Sequence, residues 1–163
     1  SHKNIDHVKI LGELDMVNLV NWFKVNKLAS NIAKSNFLVC KYRQKKLSTN
    51  FQIFMGFDKI NQVHVVNYLG VYLDQFLSWQ DHITHICNKV SPLIGILSKI
   101  RYFIPHYLLI QLYYSMIHPH INYCIEVWGS AYYTHIQPLI ILQSFTHYHI
   151  LPLSGPYKLI IQE

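Results

Sequence analysis

The chain has 163 residues, of which 51% are apolar and only 13% charged. An ordinary globular domain is about 25% charged, so a solvated, disordered chain is excluded and a packed, partly occluded protein is implied. Fourteen Lys and Arg against eight Asp and Glu leave a formal charge of +6, which suits an anionic partner without naming one.

The length fits one domain or one and a half, at roughly 100–200 residues per domain. Cys40, Cys87 and Cys124 are odd in number and widely spaced. They make no disulfide scaffold and fit a reducing, intracellular compartment. The first ten residues, SHKNIDHVKI, contain no apolar signal-peptide region and no initiator Met, which fits a fragment or a trimmed chain.

Met16, Leu19, Val20 and Phe23 fall at helical spacing and predict a helix over residues 7–26. No acidic residue lies between Asp15 and Asp58, a window that holds Lys24, Lys27, Lys34, Lys41, Arg43, Lys45 and Lys46. Four of these crowd into KYRQKK. Such a run reads first as a solvated loop or strand end and second as a phosphate-contacting patch. SNFLVCKYR reads as a strand with Phe37, Val39 and Lys41 on one face. FQIFMG and NQVHVVNYLGVYLD are rich in β-branched and aromatic residues. They read as two or three short strands, with turns at Gly56–Asp58 and at Asn61.

After Ser78 the period changes. Trp79, Ile83, Ile86, Val90, Leu93, Leu97, Ile100 and Ile104 step by fours and threes, which puts one apolar stripe down a long helix. Ser78 is the expected N-cap, with Asp81 completing a capping-box variant. Pro92 removes a backbone donor and predicts a kink or a fresh start at Ser91–Pro92. Pro105 is expected to open the next helix, with Leu109, Leu112, Tyr113 and Met116 on one face, and Pro119 to end it. A last helix is expected over residues 136–149. From Tyr102 to Tyr157 the only charged side chain is Glu126. The uncharged run from Tyr102 to Ile125 is long enough to span a bilayer. Its Pro105, His106, Gln111, His118, Pro119, His120 and Asn122 argue instead for helices buried against protein, with no membrane partner.

His82, His85 and Cys87 lie close together, but three and five positions apart on one helix they do not share a face, and zinc wants converging ligands. A solvent-side His pair is the simpler reading. His118 and His120 are expected at a helix end, near the terminal carbonyls. The carboxylates are Asp6, Glu13, Asp15, Asp58, Asp74, Asp81, Glu126 and Glu163. None forms the Asp-x-Asp pair that would hold two metals about 4 Å apart. Asp74 and Asp81 are the nearest to a couple, and a turn and a helix cap explain both. No metal site is expected in the chain. No phosphate-binding Gly-rich loop and no nucleophile elbow occur.

Three segments in order resemble one family. NWFKVNKLASNIAKSNFLV is similar to the segment WF..NkL.lN..Kt..l.f of non-LTR retrotransposon reverse transcriptases. YLGVYLDQFLSWQDHI is similar to their LG..iD..L.W..Hi. GILSKIRYFIPHYLLIQLYYSMIHPHINYCIEVWGSA is similar to giL..lr.flp...l..lY.sli.phl.Yg..vWg.a. The resemblance covers residues 10–145. The chain departs from it at Ala29, Ser35, Pro92 and Cys124. It also departs in LQSFTHYH, where the family's two basic residues are absent.

The resemblance implies an α+β chain: the end of a polymerase palm, with a helix and short antiparallel strands, then an all-helical thumb-like part. It implies a palm end with a primer-grip-like hairpin over residues 1–77, a thumb-like region over 78–129 and a connection-like tail over 130–163. The catalytic carboxylates and their Mg²⁺ would belong to the parent enzyme's N-terminal palm and fingers, outside this chain. Lys34 would be accessory, near the leaving pyrophosphate. Tyr68, Leu69 and Gly70 would form the primer grip. Lys41, Arg43, Lys45, Lys46, Lys89, Lys99 and Arg101 would contact the backbone of an RNA/DNA template–primer. The other reading is a non-catalytic interaction module, a host or remnant protein that binds protein through its aromatic helical surface.

Overall fold

The computed structural model describes residues 5–43 and 52–150. Lys45 and Lys46 lie outside the described residues. The chain is mixed α+β and divides into two compact units, residues 1–66 with 74–76 and residues 67–73 with 77–163.

The first unit starts with helix α1, Ile5–Val25. Its half-buried stripe is Gly12, Met16, Val20 and Phe23, at the helical period. A Schellman motif ends it. Lys27 takes φ 54°, its N–H bonds the Lys24 carbonyl at 3.1 Å, and the Leu28 N–H reaches the Phe23 carbonyl at 2.9 Å. A 3₁₀ turn, Ile32–Lys34, follows and is capped by Asn31, whose Oδ1 accepts the Lys34 N–H at 3.2 Å.

Strands β1 (Asn36–Leu38), β2 (Ile53–Met55) and β3 (Asp58–Val63) form a sheet in the order β1-β3-β2. β2 and β3 are an antiparallel hairpin around Gly56–Phe57, with Met55 opposite Asp58. Gly56 sits at φ 70°, the positive value that the first position of a II′ turn requires. α1 packs on β2, and Met55 and Ile60 are the buried side chains of the sheet.

Three expectations change here. β1 is three residues long, so Val39 and Lys41 lie beyond the strand. Asn61 is no turn residue, because it pairs with Asn36 inside β3. β1 runs parallel to β3, not antiparallel. A parallel neighbour cannot be reached by a tight turn, and nineteen residues, β2 among them, separate β1 from β3 in the sequence.

The second unit is mainly helical. Strands β4 (Val65–Tyr68) and β5 (Val71–Asp74) form a hairpin whose turn and inner residues belong to it. Then come α2 (Gln80–Ile100), α3 (His106–Leu112), a π turn at Tyr113–Ile117 and α4 (His118–Asn122). α5 (Ile125–Trp128), α6 (Tyr133–Phe145) and a second π turn at Thr146–Ile150 complete it. α2 lays Ile83, Ile86, Val90, Ile94 and Leu97 into one core with Leu109, Tyr113, Ile117, Ile121, Trp128, Ile136, Leu139 and Ile150. No helix among the described residues is long and apolar enough to cross a membrane.

The stripe of α2 is the expected one, except that Ile94 is buried and Leu93 is half-buried. The cap moves by one residue. Trp79 is the N-cap at φ 63°, while the Ser78 hydroxyl accepts the Gln80 N–H at 3.5 Å. α2 runs unbroken through Pro92, so there is no fresh start at Ser91. Pro92 is exposed, and the carbonyl that it leaves without a helical donor belongs to exposed Asn88.

Pro105 is the N-cap of α3. Its face is set by steps of four, Leu109, Tyr113, Ile117 and Ile121, which displaces Leu112 and exposes Met116. The π turn widens the helix enough to hold that four-residue step. Pro119 does not end the helix. It stands in the first turn of α4, where a missing N–H costs nothing, and His120 falls in the last turn of that short helix, at the helix end expected of it. His118 instead meets the Tyr114 ring at 5.1 Å between centroids.

Pro92→Ala restores an amide to an uninterrupted helix and should raise stability by up to about 3 kcal/mol. Thermal unfolding followed by circular dichroism should show a melting temperature several degrees higher. An unchanged or lower value would mean that the chain at Pro92 is already relaxed.

Candidate nucleic-acid interface

The β4–β5 hairpin turns on two residues. Leu69 at φ 49° and Gly70 at φ 85° are both left-handed, as a I′ turn requires. Leu69 has a Cβ and is strained there; Gly70 is not. Two bonds hold the turn. The Asn67 side-chain oxygen accepts the Gly70 N–H at 3.0 Å, and the Tyr123 hydroxyl donates to the Leu69 carbonyl at 2.6 Å. Tyr123 is held in its turn, because the indole N–H of fully buried Trp128 donates to its carbonyl at 2.9 Å. Tyr68 and Leu69 remain 63% and 74% exposed. The predicted grip residues are thus brought together at an anchored, solvent-facing tip.

The next residues of the hairpin rest on α2. The Tyr72 N–H donates to His82 Nδ1 at 3.4 Å, and the Tyr72 ring lies 4.6 Å from that of His85. His82 is 2% exposed and meets the Trp128 ring edge-on at 5.6 Å. This corrects the solvent-side His pair. His82 lies beside the apolar stripe, and as acceptor for Tyr72 it is neutral, with its proton on Nε2. Burial first, and His85 second, lower its pKa.

The basic residues fall into three groups. In the first unit, Lys41 and Arg43 both lean on the Phe76 ring, at 5.9 and 5.6 Å from its centroid. The Lys41 N–H bonds the Gln75 carbonyl at 2.9 Å, which fixes that strand end. Lys34 closes the 3₁₀ turn with its side chain exposed. In the second unit, Lys89 and Lys99 are exposed on the outer face of α2, ten residues and about 15 Å apart along the axis. Pro92, Gly95 and Ile96 lie between them along the exposed side of the helix. Arg101 is engaged within the protein. Its guanidinium bonds the His149 carbonyl and the Tyr102 hydroxyl and covers the Tyr102 ring at 4.5 Å.

Among the described residues, no cluster of three His, Cys, Asp or Glu side chains could hold a metal ion. The Asp74 carboxylate accepts the Phe76 N–H at 3.3 Å, a turn-capping role. Cys40, Cys87 and Cys124 are free thiols.

Sequence reasoning missed three working residues. Tyr123 carries no local signal for a bond fifty-four positions away. Phe76 as a cation platform was equally silent. His82 could have been found from its helical angle, beside Ile86 and Leu93 rather than opposite them. Comparison with protein-family models, with curated proteins and with solved structures finds no match to this chain.

Burial lowers the pKa of His147 as well as that of His82. Both bind a proton less readily in the folded chain than in the unfolded chain, where they take one up below the ordinary 6.5. Stability should therefore hold above pH 7 and fall as the pH drops through 6.5. Denaturant midpoints from pH 8 to pH 5 test this. His82→Asn, which keeps an acceptor near the Nδ1 position and does not titrate, should make the decline shallower.

Proposed function

We propose that this chain supplies the primer-grip hairpin and the thumb-like contacts of a non-LTR retrotransposon reverse transcriptase, holding an RNA/DNA template–primer by its backbone. One observation carries the reading. Two of the segments that resemble the family, YLG at 68–70 and YCIEVWG at 123–129, are hydrogen-bonded to each other through Tyr123 and Leu69. Backbone geometry adds support. Cys124 occupies the position of the family's Gly and stands at φ 53°, the conformation that favours Gly. At Gly129 a Cβ would lie 2.5 Å from the Ile125 carbonyl oxygen.

The role is positioning. The described residues do not fit the family's Mg²⁺, since they bring no metal-ligand cluster together. No step of nucleotidyl transfer is assigned to them. Lys89 and Lys99 would meet phosphates along one strand, and the outer face of α2 between them would follow the groove. Lys41 and Arg43, held on Phe76, would add a second backbone contact, and Lys34 an accessory charge near the pyrophosphate. The palm and fingers that complete the family's polymerase would be the protein partners, and the setting intracellular.

The second reading, an interaction module, is favoured by a groove of about 540 Å³ between α2 and α3. Ile100, Phe103, Ile104, Leu108 and Leu112 line it, with exposed Tyr102 and Tyr107 on the same stretch of chain.

Fluorescence anisotropy with a labelled RNA/DNA hybrid separates the two. Micromolar binding at low salt, lost steeply as salt rises, is expected. Lys89→Ala and Lys99→Ala should each lower the salt slope by about one. No binding at low salt would refute the polymerase reading and leave the module.

A further inference from the structure

We infer that Tyr123 is the positioning residue of the hairpin tip, a latch that holds the Leu69–Gly70 turn in the geometry used to engage a primer's 3′ end. This rests on the primer-grip reading, and the latch itself is a separate, measurable property.

The geometry singles out this side chain. Leu69 is a β-branch-free but Cβ-bearing residue at positive φ, so its turn needs outside support. The hairpin's own contribution is one side-chain bond, from the Gly70 N–H to Asn67. The Tyr123 hydroxyl supplies the other, on the Leu69 carbonyl, at a distance typical of a good O–H···O bond. The ring of Tyr123 also lies against Gly70, where a Cβ would stand 3.5 Å from Cε1. The phenol therefore holds one turn residue by hydrogen bond and has its ring on the side of the other where a Cβ would stand.

Tyr123 is itself fixed from below. Its carbonyl accepts from Trp128, which is fully buried in the helical core. A line of two hydrogen bonds thus runs from the core to the exposed tip. The hydroxyl binds a backbone carbonyl and leaves the Tyr68 and Leu69 side chains outward. Tyr123 acts on a nucleic acid only through the turn that it holds.

The test uses Tyr123→Phe, which removes the hydroxyl and keeps the ring. Amide hydrogen exchange at residues 69–71 should speed up by roughly two- to ten-fold, the equivalent of one neutral hydrogen bond. Binding is then compared on two RNA/DNA hybrids, one with a recessed primer 3′ end and one blunt. The variant should lose several-fold affinity for the recessed end only, with an unchanged salt slope, because no cation is removed.

Gly70→Ala strains the same turn from the other residue and should reproduce both changes if Tyr123→Phe fails to fold. Unchanged exchange overturns the latch. Faster exchange with the recessed-end preference intact overturns the positioning role. A wild-type protein that binds both hybrids equally refutes the grip reading and the positioning role with it, while the exchange result still reports on the latch.

Discussion

The helical unit depends on one apolar seam, the line Ile83, Ile86, Val90, Ile94 and Leu97 down α2. Fully burying an aliphatic side chain of this size is worth about 1.5–3 kcal/mol. No other element offers five such residues in a row of turns. The remaining helices are too short to persist alone in water. α3, α4, α5 and α6 are held by what each lays on that seam and on its neighbours, Leu109, Ile121, Trp128 and Leu139 in turn. The seam also explains where Pro92 is tolerated. It stands on the face opposite the core, where the loss of one helical bond disturbs no packing.

Backbone strain sits between regular elements, at turns and helix boundaries. Among the described residues, five non-glycine residues have positive φ: Lys27, Leu69, Leu77, Trp79 and Cys124. A left-handed residue costs roughly 1–2 kcal/mol, so each persists only where its neighbours fix it. Lys27 is fixed by the two bonds of the Schellman motif. Leu69 is fixed by Tyr123. Trp79 and Cys124 pack against the helical core. All five fall inside the segments on which the family resemblance rests. That coincidence argues that the motifs encode backbone shape as much as side-chain chemistry.

The parts legible in the sequence are those that local periodicity controls. α1 and α2 are long enough for the 3.6-residue period to show in Met16, Val20 and Phe23 and in Ile83 to Leu97. The β2–β3 and β4–β5 hairpins follow from Gly56 and Gly70, which supply positive φ at short turns. The parts that were not legible depend on distant partners. The parallel pairing of β1 with β3 joins residues some twenty-five positions apart and leaves no mark in NFL. Asn61 resembles a turn residue and is a strand residue because Asn36 lies opposite it. Pro119 reads as a stop or as a start, and only the π turn before it decides. Of the site, the exposed turn at Leu69–Gly70 is where the YLG segment placed a hairpin. Its anchor at Tyr123, the buried acceptor His82 and the cation platform Phe76 were not legible.

The charge distribution limits what the surface can do. A net +6 spread over separate small groups supports weak attraction to a phosphate backbone. Lys89 and Lys99 are spaced along α2, and Lys41 and Arg43 share one ring. Arg101, the remaining candidate on the helical unit, has its guanidinium bonded to His149 and Tyr102 and so is not free to swing outward. Under the proposed reading such contacts would hold a duplex without reading it. Any discrimination between nucleic-acid ends must come from a rigid, uncharged feature. Among the described residues the turn at Leu69–Gly70 combines exposure with hydrogen bonds that lead to the core, and under the proposed reading it would be that feature. Rigidity there comes from the same packing that stabilises the fold, through Trp128 and then Tyr123. If the proposed reading holds, loosening the core around Trp128 should weaken end recognition before it weakens salt-dependent binding by the lysines.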